Sequence, residues 1–191
     1  MDAFENVIAS ILQRQGFWTL ASVKVELTKD EKRRIGRHSS PRWELDIVAY
    51  RGADHELRVV ECKSFLDSPG VQCGAFDGTK PAAAGRYKLF CDRTLRRTVF
   101  RRLETQLVQA GFCAKKPTIK LCLAAGKIQG DETWLRTHFV REGWVLMGPE
   151  EIRDALQSLR DTGYEDSVAT IVSKLLLRND GTLAPRGRQA R

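Results

Sequence analysis

The sequence predicts an α/β fold, a mixed central sheet flanked by helices, and three observations carry that prediction. Segments of helical period and segments of strand period alternate along the chain. Two apolar, β-branched-rich runs, Leu45 to Tyr50 and Leu57 to Cys62, flank Gly52-Ala53-Asp54-His55 and read as a β-hairpin. The C-terminal third reads as further helices, with no internal repeat. A chain of 191 residues suits one domain of ordinary size. We therefore expect a single domain over 1–178, and a basic, disordered tail over 179–191 that contains glycine, proline and several arginines.

The first helix is expected over Asp2 to Gln15, with Phe4, Val7, Ile8, Ile11 and Leu12 on one face and Gly16 as its stop. The run Val23-Lys24-Val25-Glu26-Leu27 marks the first strand. Thr28 to Arg42 reads as a polar, basic loop immediately ahead of the hairpin, carrying Arg33, Arg34, Arg37 and Arg42. Residues 64 to 85, with many glycines and alanines, read as irregular, and a loop of that length suggests a substrate-binding flap. Thr94 to Ala110 has helical period and ends at Gly111. The apolar run Thr118 to Ala125 reads as a buried strand. Asp131 to Arg141 is a helix whose Trp134, Leu135 and Phe139 belong to the core. Trp144 to Met147 is a short strand, Glu150 to Arg160 a helix with Pro149 at its start, and Asp166 to Leu177 the last helix.

The hairpin carries charges that its apolar setting does not explain. Along a strand, alternate residues share a face, so Glu44, Asp46 and Val48 lie together, and so do Val59, Glu61 and Lys63. Glu61 and Lys63 are roughly 7 Å apart by the strand rise. If the strands pair antiparallel, Asp46 approaches Glu61 on the same face. Two carboxylates beside one ammonium suit a divalent cation with oxygen ligands, with a water on that cation as nucleophile and Lys63 orienting it. The alternative is a plain Glu61–Lys63 ion pair on an exposed sheet face with Asp46 solvated. The apolar character of both strands argues against that exposure.

Asp46, followed after fourteen intervening residues by Glu61-Cys62-Lys63, resembles the D…(D/E)-x-K core of the PD-(D/E)XK nuclease superfamily. The wording W-E-L-D-I-V-A-Y and V-V-E-C-K-S is most similar to its Mrr-like and Holliday-junction-resolvase-like branches. Leu45 stands where the family name has proline. The resemblance spans about residues 3 to 125 and implies a restriction-endonuclease-like αβββαβ core with C-terminal helical additions. It implies a Mg²⁺-dependent endonuclease acting on DNA, with Mn²⁺ able to substitute. Asp46, Glu61 and the backbone carbonyl of Cys62 would hold the metal, and Lys63 would serve catalysis. Many members carry a glutamate on the first helix that reaches the metal, which makes Glu5 the candidate here. At about 100° per residue Glu5 projects within roughly 20° of Leu12, at the rim of the buried face. Asp2-x-x-Glu5 is equally a helix-capping pattern, and both roles stay open. Glu44 is a weaker candidate for an outer metal contact. A homodimer is expected from the resemblance alone.

The formal net charge of +8 makes a polyanionic partner plausible. Arg93, Arg97 and Arg101 stand one turn apart on the Thr94–Ala110 helix, with Arg96 beside them and few acidic residues among them. Together with Arg33, Arg34, Arg37 and Arg42 they are the expected phosphate contacts of a nucleic acid. No apolar run approaches the roughly 20 residues of a membrane helix, and the N-terminus lacks a basic leader, so a cytoplasmic protein without membrane contact is expected. The five cysteines are scattered and odd in number, which favours reduced thiols over disulfides or a zinc site. Two further readings of function remain beside the nuclease: a catalytically inactive nucleic-acid-binding module of the same fold, and an interaction subunit of a larger DNA-processing complex.

Overall fold

The computed structural model describes residues 2–37, 42–163 and 167–177. The expected disordered tail, and residues 38–41 of the basic loop, lie outside the described residues. The chain divides into two compact units, residues 1–152 and 153–191.

The first unit opens with helix α1 (Ala3–Arg14). Asp2 and Glu5 form a reciprocal capping box, each side chain accepting the other's backbone N–H. Strand β1 (Trp18–Val25) follows, then helix α2 (Lys29–Arg34), strand β2 (Trp43–Arg51) and strand β3 (Glu56–Lys63). Strand β4 (Val71–Gln72), a 3-10 turn (Cys73–Ala75) and the one-turn helices α3 (Pro81–Ala84) and α4 (Lys88–Cys91) lead to the long helix α5 (Arg93–Gln109). Strands β5 (Thr118–Ala125) and β6 (Ile128–Gln129), helix α6 (Glu132–Glu142) and strand β7 (Val145–Met147) complete the sheet. Helix α7 (Pro149–Leu159) contains the boundary between the units. In the second unit, helix α8 (Val168–Leu177) is tied by Lys174, whose ammonium donates to the carbonyls of Arg160 and Thr162.

Five strands form one mixed sheet in the order β1-β2-β3-β5-β7. The first three pair antiparallel, whereas β3–β5 and β5–β7 pair parallel. Strand β5 lies between two parallel partners, and its residues Leu121 to Ala125 are all buried. The fold is thus the expected α/β class: a five-stranded mixed sheet flanked by helices.

Alternation assigns the two faces. Val48, Leu57, Val59, Leu121 and Leu123 pack in one cluster with Leu95, Val99, Leu103 and Leu107 of α5. The opposite face, with Ile47, Ala49 and Val60, is covered by α1, which contacts β1, β2 and β3. Burying some dozen large side chains on the two faces, at about 1.5–3 kcal/mol each, is what offsets the ordering entropy of the sheet.

Two expectations need correction. The basic stretch after Thr28 is not wholly loop: Thr28 caps α2 through its own reciprocal box with Glu31, and Arg102 of α5 grips Glu31 with both Nε and Nη2, at 3.0 and 2.9 Å. Residues 64 to 85 are not wholly irregular, and the helix α4 follows them. Val71, Cys73, Ala75, Tyr87, Leu89 and Phe90 are buried in the α5-side core, and β4 pairs in parallel with β6. An anchored layer of this kind differs from the free flap that its composition suggested. Among the described residues no helix is long and apolar enough to cross a membrane.

Candidate active site

One step beyond the Ile47–Val60 pair, the antiparallel register brings Asp46 level with Glu61. Glu61 keeps the face of Leu57 and Val59, toward α5, but Leu45 and Val48 both belong to the α5-side core although three residues apart, so strict alternation breaks at Asp46–Ile47. On the other flank of β2, the β1 residue level with Asp46 is Ser22, between the Ala21–Ile47 and Val23–Leu45 pairs. Ser22 holds a left-handed backbone at φ +50°, uncommon for a residue with a side chain and costing on the order of 1 kcal/mol or more.

The Asp46 carboxylate accepts the backbone N–H of Cys62 at 2.7 Å through Oδ2. Lys63 Nζ lies 2.6 Å from Glu61 Oε1, and both side chains are about four-fifths buried, at 20% and 23% exposure. Burial pushes the Glu61 carboxyl above its ordinary value. Lys63 opposes that shift, and the charge of Asp46 adds to it. The three groups are therefore electrostatically coupled, as an exposed surface pair would not be.

Cys62 alternates with Glu61 and turns toward α1. Burial drives its thiol strongly upward, and the charges of Asp46, Glu5 and Asp2 push further in the same direction. Cys62 is thus an inert thiol whose candidate contribution is its backbone carbonyl. Glu5 stands at the start of α1, on the Cys62 side of the sheet, with Oε2 accepting Asp2 N–H at 3.1 Å. Glu44 is exposed one turn of the pleat before Asp46.

Among the described residues, no group of three or more His, Cys, Asp or Glu side chains stands close enough to hold a metal. Magnesium does not need such a group: one or two carboxylates, waters and substrate phosphate commonly complete its octahedron. Asp46, Glu61 and the Cys62 carbonyl are hard oxygen donors of that kind, so the donor set fits the ion in chemistry.

The expected phosphate contacts fall into two sets. Arg34 of α2 and Arg93, Arg96, Arg97 and Arg101 of α5 line one groove of about 770 Å³. Arg33 instead pairs with Asp30 at 3.2 Å, Arg42 pairs with Glu26 at 3.2 Å, and Arg37 lies over the Trp43 ring at 5.0 Å. Arg96 differs from its neighbours in the groove. Its Nη1 donates to the carbonyls of Leu89 and Phe90 at 2.8 and 3.0 Å, capping α4, and its guanidinium lies over Trp144.

Sequence reasoning missed Tyr87. It is 2% exposed, stacks at a tilt on Phe76, and has its phenol pushed up to about 12, chiefly by burial. The Gln72 backbone lowers it a little and the charge of Glu61 adds to the rise. Its only signal in the sequence was an aromatic in a segment otherwise poor in large apolar residues.

No protein-family model matches this chain, and no curated protein matches it. Among solved structures, it is similar to the crystal structure of a protein of unknown function, AF1548. The TM-score is 0.45 at 20% identity, over 85% of this chain and 71% of the other.

Proposed function

We propose that this protein is a metal-dependent nuclease that hydrolyses phosphodiester bonds in DNA, of the PD-(D/E)XK type that its hairpin resembles. The observation that carries this reading is the meeting of Asp46, Glu61 and Lys63 at the end of the β2–β3 ladder, where Asp46 holds the Cys62 N–H, Lys63 pairs with a largely buried Glu61, and the charge of Asp46 acts on Glu61. Asp46, Glu61 and the Cys62 carbonyl would hold Mg²⁺, with Mn²⁺ as a substitute. The chemistry supplied at that site would be neutralisation of the phosphate and acidification of a water. Lys63 leaves Glu61 to donate a hydrogen bond to the attacking water and hold it in line with phosphorus. The water gives up a proton to solvent and its oxygen bonds to phosphorus as the bond to the departing oxygen breaks, the departing oxygen taking a proton from solvent. Arg34, Arg93, Arg97 and Arg101 take the flanking phosphates, which positions the strand without reading its sequence.

One observation favours a second reading, a nucleic-acid-binding module of the same fold without catalysis: Lys63 already neutralises Glu61, which would leave the pair a structural one. A single experiment separates the two. Plasmid, linear, branched and single-stranded DNA, and RNA, are incubated with Mg²⁺ or Mn²⁺ and with wild type, Asp46→Ala or Lys63→Ala. The nuclease reading expects metal-dependent cutting that both substitutions abolish. Salt-sensitive binding without cutting, unchanged by either substitution, would establish the binding module instead.

A further inference from the structure

Beyond the C-terminal ends of β3 and β5, the chain builds a second, smaller structure. Gly126 N–H donates to Lys63 O, and Val71 N–H to Lys127 O, both at 2.9 Å, so the short β4–β6 ladder follows on from the β3–β5 pair. At its tip Gln72 and Gln129 are register partners. Both line a cavity of about 530 Å³, together with Trp134, Asp77, Asp131 and Lys80. That volume lies within the usual range of small-molecule sites.

The chemistry of the walls is specific. Two primary amides side by side on neighbouring strands, about 5 Å apart, offer paired donors and acceptors. Neither amide has a side-chain hydrogen-bond partner among the described residues. Trp134 supplies an aromatic wall, and His138 fixes its orientation by stacking at 5.0 Å with the rings only 8° apart. Two carboxylates against one ammonium make the cavity net negative, which repels phosphate, whereas the arginine groove attracts it. A flat, uncharged ring with N–H donors and carbonyl or ring-nitrogen acceptors matches these walls. Gln72 follows directly on Val71, whose N–H bonds Lys127 O next to the Gly126–Lys63 bond, so the cavity lies beyond the strand end that carries Glu61 and Lys63.

We propose that the Gln72–Gln129–Trp134 cavity receives an unpaired nucleobase of the strand whose phosphates lie at Asp46 and Glu61. This rests on the nuclease reading for the identity of the strand. It adds that the substrate carries a base free of its partner, in a single strand, a branch or a flap.

The test uses the full chain with Asp46→Asn, so that bound strands are not cut. A single-stranded oligonucleotide with one 2-aminopurine is titrated, against a fully paired duplex of equal length and against a free mononucleotide. We expect quenching of the 2-aminopurine and a preference of about tenfold or more for the strand with the unpaired base over the duplex. Adding Gln129→Ala, at an exposed position, or Trp134→Leu removes the preference and leaves duplex affinity unchanged. No preference, or one untouched by Gln129→Ala, overturns the proposal, as does binding of the free mononucleotide as tight as that of the strand. Cleavage by the wild type is scored separately. Cutting without base preference refutes this pocket alone, and base preference without cutting refutes the nuclease reading while the pocket stands.

Discussion

The carboxylate of Asp46 accepts the backbone N–H of Cys62 at 2.7 Å, across from Glu61 on the neighbouring strand. This bond spans the point where the β2–β3 ladder stops, so one side chain both closes the end of the hairpin and presents a charge to the site. The two roles separate by substitution. Asp46→Asn keeps an amide oxygen for the Cys62 N–H, so its melting temperature should stay near that of wild type while metal-dependent cleavage is lost. Asp46→Ala should lose cleavage and also about 1–2 kcal/mol of stability, because a partly buried donor is left unpaired. Equal stability of the two variants would show that the bond carries no load.

Arg96 and Arg97 are adjacent in sequence and line one groove, yet their surroundings differ. Arg97→Ala, like Arg93→Ala or Arg101→Ala, should weaken DNA binding uniformly across sequences. Each should lower the slope of log affinity against log salt by about 1. Arg96→Ala removes the donor to Leu89 and Phe90. It should cost about 1–3 kcal/mol of stability and leave the salt slope unchanged. Salt titrations and thermal melts on the same four variants check both halves.

The contrast between those arginines marks what the sequence could and could not reveal. The β2–β3 hairpin was legible because alternation, a turn and β-branched residues all agreed, and period alone put Glu61 and Lys63 together, whereas the break in alternation at Asp46–Ile47, opposite the left-handed Ser22, was not legible. Helix α2 was hidden by its charge, although Thr28-Lys29-Asp30-Glu31 spells a capping box at the head of the run. The layer from 64 to 92 has no period, since its order comes from placing Val71, Tyr87 and Phe90 against a sheet made of distant residues. For the same reason Tyr87 could not be connected to Glu61, or Gln72 to Gln129. Adjacent helix positions point about 100° apart, which is enough to send Arg96 to the α4 carbonyls and leave Arg97 to the groove.

Gly126 sits where β5 ends and its N–H bonds Lys63 O. A Cβ there would lie 2.4 Å from the carbonyl oxygen of Ser64, a backbone atom that cannot swing aside. Gly126→Ala should therefore displace the end of β3, at a cost of about 1–3 kcal/mol. Because Lys63 adjoins Ser64, cleavage should fall further than the loss of folded protein accounts for. Activity per folded molecule, from parallel melts and single-turnover rates, is the measurement.

At the opposite end of the sheet Glu56 is a second buried carboxylate, and its setting predicts a pH dependence. It is 5% exposed and lies between Arg58 and Lys120, the latter at 2.8 Å. Arg58 in turn lies over the Phe17 ring at 4.5 Å, which holds the knot against the sheet edge. Burial alone would raise the Glu56 carboxyl, but the hydrogen bonds from Lys120 and Arg58 outweigh it, and the net shift is below the ordinary 4.5. A carboxyl depressed in the folded state binds its proton more tightly when unfolded. Its stabilisation is therefore fully present above the unfolded value and is lost as pH falls through the folded one. Glu56→Gln removes that titration and leaves two cations facing a neutral amide. At neutral pH it should cost about 3 kcal/mol, the lower end for breaking a buried pair, since Lys120 reaches solvent and is partly relieved. Below the folded value the wild type is protonated too, so the two melting curves should converge on acidification. Melting-temperature differences that stay constant from neutral pH into that acidic range would show that the carboxylate charge is not what holds this end of the sheet.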